Sequence, residues 1–180
     1  MAQKRLVFIS LIILLIIFAV AFTAYRALTP AHLPETGRNA EITAAPDFRV
    51  SDENGDEVNF GDMLEKPVIV HFWASWCGVC KEEFPLLSEA WKNYGNDINF
   101  MMIDLCDGKE ETAATARAFI DQNGYSFPLY LDNNGEAAAA YGVSAIPRTV
   151  FINREGELIA EQIGAIGEKQ LNENIAAILK

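Results

Sequence analysis

Three cysteines and two histidines are the whole supply of soft metal ligands in this chain of 180 residues. That count is too low for a small scaffold stapled by several disulfides. It is also poor for structural zinc, which takes about four ligands. There is no second Cys-x-x-Cys, and no histidine follows His71. Positive charge is scarce as well: 14 Lys and Arg stand against 25 Asp and Glu, a net charge of −11. Residues 1–45 hold four basic and two acidic residues, which leaves ten basic and 23 acidic after residue 45, a net of −13. Such a surface repels nucleic acid and anionic headgroups, although solubility alone also accounts for it. No glycine-rich nicotinamide or flavin motif is visible, and there is no internal repeat.

What the chain has in excess is one long apolar run. Residues 6–25, "LVFISLIILLIIFAVAFTAY", carry no charge. About 20 such residues suffice for a helix that crosses a bilayer. Lys4 and Arg5 precede the run, so the positive-inside rule leaves the N-terminus in the cytoplasm and the rest of the chain outside. The expectation is a single-pass anchor in the cytoplasmic membrane over 1–25, with an extracytoplasmic C-terminal domain. The alternative is a cleaved signal peptide ending near Ala19-Val20-Ala21, but signal cores are shorter, at about 7–15 residues. Residues 26–45 mix Pro, Gly, Thr and Ala without period and read as a linker. Residues 46–180 have the length of one domain.

Within that domain, apolar runs alternate with helical patterns. "DFRVSD" and "EVNF" flank an Asn-Gly turn and predict a hairpin. "PVIVHFWA" (67–74) and "INFMMIDL" (98–105) are continuous apolar runs, as buried strands require. Between them, Phe84, Leu87 and Trp91 repeat at helical spacing up to Gly95. A helix over 108–124, a strand over 127–132 and a short helix over 135–142 follow. A hairpin of 148–153 and 157–164 comes next. The last segment places Leu171, Ile175, Ile178 and Leu179 on one stripe, the pattern of a helix docked on a sheet. Strands alternating with helices predict an α/β fold whose mixed central sheet is flanked by helices.

The chemistry concentrates in "HFWASWCGVCKEEFP", residues 71–85. Cys77 falls where a buried strand gives way to a helix. The first helical turn has free N–H groups and a partial positive charge, and both lower a thiol pKa below about 8.5. Cys80 lies one turn further on, close enough to form a small disulfide ring. The spacing divides the labour: Cys77 is the exposed attacking thiolate, and Cys80 resolves the mixed disulfide. A Cys-x-x-Cys by itself also opens zinc sites, and two thiols suit a copper(I) carrier. No third ligand for either is obvious: His32 is in the linker, His71 is in a strand, and Cys106 is the remaining thiol.

"VHFWASWCGVCKEEFP" resembles the active-site segment of the thioredoxin superfamily, above all its membrane-tethered TlpA/ResA group. The likeness rests on Phe72-Trp73-Ala74, Trp76-Cys77, Cys80-Lys81 and Pro85, and extends through "APDF", "FPLYLD" and "YGVSAIPRTVFIN". It implies a thioredoxin-like fold with an added N-terminal β-hairpin and a central helical insertion over 108–124. It also implies a cis Ile146-Pro147 bond beside the cysteines, although X–Pro bonds are cis in only about 5–6 % of cases. The backbone of Ile146 would pair with an extended substrate, alongside Trp76, Gly78 and Val79. Glu83, one helical turn after Cys80, matches a glutamate linked in that group to proton handling; a solvated helix charge is the plainer reading.

Two positions depart from the pattern. His71 stands where thioredoxins carry Asp and the ResA-like group often Asn. It is either a proton relay to Cys80 or a neutral core histidine. The dipeptide between the cysteines is Gly78-Val79, so no redox potential is carried over. Cys106, close to Asp104 and Asp107, reads as an unreactive, partly buried thiol. The resemblance implies an outward-facing protein-disulfide reductase with no cofactor beyond the Cys77–Cys80 disulfide. Its clients would be protein disulfides such as apocytochrome c, and its electron donor a CcdA-type membrane thiol carrier. A general disulfide oxidase or isomerase uses the same residues, and a copper-binding chaperone is the non-enzymatic alternative. A peroxide-reducing cysteine would need a Thr-x-x-Cys context, which Trp76-Cys77 does not provide.

Overall fold

The computed structural model describes residues 14–20, 22 and 43–180. The chain divides into two units, Met1–Ala40 and Glu41–Lys180. In the first unit, residues 14–20 and 22 are helical (α1). Most of the expected membrane span and of the linker lies outside the described residues. Among the described residues, no helix is long and apolar enough to cross a membrane.

The second unit starts earlier than the sequence suggests. Residues 43–45 pair with the turn at 156–158: the Leu158 N–H donates to the Thr43 carbonyl at 2.9 Å, and the Ala45 N–H to that of Gly156 at 2.8 Å. The elements that follow are β1 (Arg49–Asp52), β2 (Glu57–Asn59), a 3-10 turn (Phe60–Met63), β3 (Val68–Trp73) and α2 (Gly78–Tyr94). After them come β4 (Asn99–Asp104), α3 (Ala113–Asn123), β5 (Leu129–Leu131), α4 (Glu136–Ala140), β6 (Arg148–Ile152), β7 (Leu158–Ile163) and α5 (Glu168–Ile178). Seven strands form one sheet in the order β2-β1-β5-β4-β3-β6-β7. β3 runs parallel to β4 and antiparallel to β6, so the sheet is mixed.

β3 lies inside the sheet, between β4 and β6, because all six of its residues are apolar or can be paired in the core, and all six are buried. Its side chains alternate between faces. Ile69 and Trp73 pack with Phe84, Leu87, Leu171 and Ile175 from α2 and α5. Val68, Val70 and Phe72 pack on the other face with Phe48, Phe60 and Tyr141. Each fully buried aliphatic or Phe side chain stabilises the fold by about 1.5–3 kcal/mol.

Two expected boundaries shift for identifiable reasons. The helix predicted over 108–124 begins only at Ala113. Asp107 Oδ1 accepts the N–H groups of Lys109, Glu110 and Glu111 at 2.8–2.9 Å and holds them in a loop. Thr112 then caps the helix by accepting the Thr115 N–H at 3.2 Å. At the C-terminus α5 ends at Ile178, and Leu179, expected on the buried stripe, is 42 % exposed.

Candidate active site

β3 ends at Trp73, and a tight turn leads into α2: the Cys77 N–H donates to the Ala74 carbonyl at 3.1 Å. Cys77 occupies the N-cap of α2 with extended backbone, φ −74° and ψ 108°. Its sulfur takes the role that a Ser or Asp oxygen usually plays there, accepting the Cys80 N–H at 3.2 Å. A sulfur so placed sits on free N–H groups at the positive end of the helix, where a thiolate is stabilised. Cys77 and Cys80 form a disulfide, with Cα atoms 5.3 Å apart. Cys77 retains 6 % exposure and Cys80 none, the asymmetry needed by an attacking and a resolving thiol.

The surface beside the disulfide is apolar. Trp76 is 61 % exposed and Val79 46 %. Gly78 is also exposed, and a Cβ there would meet nothing within 4 Å, so packing does not require glycine. The expected second half of the site comes from β6. Its first residue, Arg148, pairs with Phe72 near the end of β3. Pro147 is therefore carried to the end of the sheet from which the redox turn leaves. The Ile146–Pro147 bond is cis, in agreement with the expectation. Pro147 is buried and Ile146 half-buried. The Pro147 carbonyl is occupied by the Gly164 N–H at 2.8 Å.

Glu83 is 4 % exposed, which removes the reading of a solvated helix charge. Its Oε1 accepts the Ile166 N–H from the loop before α5, and Oε2 has no partner. Burial pushes its pKa up to about 7, opposed in part by that hydrogen bond. His71 is fully buried on the α2 side of β3. Nδ1 lies 3.0 Å from Thr149 Oγ1, Nε2 has no partner, and the ring meets Phe84 edge-on. Burial lowers its pKa to about 3, so the imidazole is neutral across the ordinary pH range.

Cys106 is half-buried, and its Sγ–H donates to Asp104 Oδ1 at 3.2 Å. Burial first, and Asp104 second, push its thiol far above the usual range. It lies in an acidic cluster that the sequence shows only in part. Asp104, Glu111 and Asp132 are all buried. Asp132 accepts the N–H groups of Ala137 and Ala138. Glu111 Oε2 accepts both the N–H and the hydroxyl of Ser75, at 2.9 and 2.8 Å. Ser75 precedes Cys77 by two residues, so the cluster touches the redox turn. Glu111 reads in sequence as one more charge of "GKEET"; only its position just before a Thr cap sets it apart. Among the described residues, no group of three or more His, Cys, Asp or Glu could hold a metal ion.

A central mixed sheet, a helix capped by Cys77 and a Cys77–Cys80 disulfide beyond the C-terminal end of β3 define a thioredoxin-like thiol–disulfide oxidoreductase. The chain belongs to the AhpC/TSA family, whose model matches residues 43–161. It is 31 % identical over 180 residues to the thiol-disulfide oxidoreductase ResA of Bacillus thuringiensis subsp. konkukian, covering 99 % of each chain. Among solved structures, it resembles a putative thiol:disulfide interchange protein DsbE from Chlorobium tepidum. The TM-score is 0.68 at 27 % identity, over 77 % of this chain and 97 % of that one. StoA from Bacillus subtilis is similar too, with a TM-score of 0.63 at 27 % identity, over 74 % of this chain and 99 % of that one.

Proposed function

We propose that this protein is a membrane-anchored reductase of protein disulfides on the extracytoplasmic face, with cytochrome c maturation as its setting. The observation that carries the thiol–disulfide exchange reading is the Cys77 sulfur at the N-cap of α2, accepting the Cys80 N–H. A stabilised Cys77 thiolate is the attacking group that exchange needs, and the resemblance to the TlpA/ResA group supports the direction, reduction of the client. The apolar run 6–25 behind Lys4 and Arg5 supports the anchor.

In the reduced protein, the Cys77 thiolate attacks one sulfur of a client disulfide. The client S–S bond breaks, a Cys77–client disulfide forms, and one client thiolate leaves. Cys80 then gives up its proton and attacks Cys77 Sγ. The second client thiolate leaves, and the Cys77–Cys80 disulfide carries away the two electrons' worth of oxidation. Glu83, with a pKa near 7 and one turn from Cys80, is suited to take that proton near neutral pH. Exposed Trp76 and Val79 offer an apolar rest for the client segment. A membrane thiol carrier of the CcdA type would return the electrons.

Replacing Cys80 by Ser in cells tests the reading, because mixed disulfides at Cys77 then persist. Apocytochrome c among the trapped partners supports maturation. A broad set of secreted proteins favours a general oxidase or isomerase, and no trapped protein defeats the client reading. Fractionation of the same cells tests the anchor, which requires the full-length chain in the membrane pellet.

A further inference from the structure

Glu111 is fully buried, yet the described residues pair no Lys or Arg with it. Its carboxylate is used for something else. Oε2 accepts both donors of Ser75, the N–H at 2.9 Å and the hydroxyl at 2.8 Å. Oε1 accepts the Thr115 hydroxyl at 2.9 Å. Three donors converge on one acceptor-only group, which an ionised carboxylate satisfies and an amide does not. The residue itself is anchored. Its N–H donates to Asp107 Oδ1 at 2.9 Å, and its carbonyl accepts from Asp107 and Gly108 at 3.0 and 3.1 Å. Ser75 stands inside the turn closed by the Cys77 N–H and the Ala74 carbonyl. Trp76 and Cys77 follow it directly.

We propose that Glu111 is a positioning residue for the redox reaction: through Ser75 it fixes the turn that sets the Cys77 sulfur on the N-terminus of α2. This rests on the reading of Cys77 as the attacking thiol. Buried, charge-assisted hydrogen bonds of this kind are short and strong, and the rigid loop 107–111 gives them a fixed base. Burial first, and the charge of Glu111 second, raise the pKa of Asp104, close by, to about 8. Without the clamp the turn has one fewer restraint. The Cys77 sulfur then spends less time on the Cys80 N–H, and its thiolate loses stabilisation.

The test uses the reduced protein and follows the pH dependence of Cys77 alkylation by iodoacetamide. Ser75→Ala removes the hydroxyl donor and changes no charge. The midpoint of its profile is expected to rise by about half a pH unit, a fraction of the lowering that helix N-termini give thiols. Ser75→Thr keeps the hydroxyl and is expected to return the midpoint to the wild-type value. In a Glu111→Ala background, Ser75→Ala is expected to shift the midpoint no further, because the acceptor of the Ser75 hydroxyl is already gone. Thermal unfolding is recorded in parallel, since a purely structural role lowers the Tm without moving the midpoint. A folded Ser75→Ala protein with an unmoved midpoint overturns the proposal, as does an equal shift in both backgrounds. Loss of alkylation in Cys77→Ser confirms separately which thiol is being read, so a failure of the underlying site reading is distinguishable.

Discussion

The backbone N–H of Cys80 points at the sulfur of Cys77 from 3.2 Å. One residue of the redox pair thereby supplies part of the field that activates the other. The arrangement needs the sulfur at the N-cap and a second cysteine three residues later, which is what Cys-x-x-Cys at a helix start provides.

Cysteine reactivity follows burial and neighbours. In the reduced protein, iodoacetamide near neutral pH is expected to modify Cys77 first. Cys106 reacts slowest, because burial and Asp104 push its thiol up. Peptide mapping by mass spectrometry reads the order, and modification of Cys106 at the rate of Cys77 contradicts it.

Glu83 makes stability depend on pH. Its pKa is 4.5 in the reference state and about 7 in the fold. The folded protein therefore holds a proton that the unfolded chain releases, and stability falls as pH rises from about 4.5 to 7. Glu83→Gln removes the charge, while its side-chain oxygen can still accept the Ile166 N–H. The variant is expected to be about 1–3 kcal/mol more stable than wild type at pH 8, with no gain at pH 4. Its disulfide exchange near neutral pH is expected to slow by about tenfold, at the low end of what proton transfer contributes. Denaturant melts at the two pH values and stopped-flow kinetics check both.

His71 titrates in the opposite direction. Its pKa is about 3 in the fold against 6.5 in the reference state. Stability from the neutral ring is complete above 6.5 and is lost as pH falls toward 3, by about 1 kcal/mol per pH unit. His71→Asn is expected to flatten that acid limb and to leave the Cys77 alkylation midpoint unmoved. A shifted midpoint would restore the proton-relay role.

The aromatic packing beneath α2 sets the cost of losing Phe84. Its ring lies 4.8 Å from that of Trp73, 5.2 Å from Phe119 and 5.3 Å from Phe127. Phe84→Ala is expected to destabilise the domain by about 3–5 kcal/mol, as large-to-small changes in fully buried aromatics do. A loss below 1 kcal/mol in urea melts would mean that the cluster collapses into the gap.

Much of the site was legible because it is local. The continuous apolar run of β3, the Cys-x-x-Cys and the helical stripe of α2 lie within 28 consecutive residues, 67–94. The clamp on Ser75 was not legible, because Ser75 and Glu111 are 36 residues apart and joined only when β3 and β4 pair. Glu83 was ambiguous for a similar reason. Helix spacing puts it on the face of Cys80, but its burial depends on the Ile166 loop, 83 residues away. The start of α3 was misplaced because Asp107 captures three N–H groups that a helix would otherwise use. Local side-chain bonds of this kind compete with helix formation at just such positions.

Cys77 can act as the attacking thiol only if its thiolate is stabilised. Ultraviolet thiolate absorbance of the reduced protein, titrated against pH with Cys77→Ser as the control, measures it directly. A transition below about 8.5 that vanishes in the control is the expected result, since a helix N-cap lowers a thiol pKa. A Cys77 transition at or above about 8.5 would contradict the role of the helix N-terminus and with it the assignment of the attacking thiol.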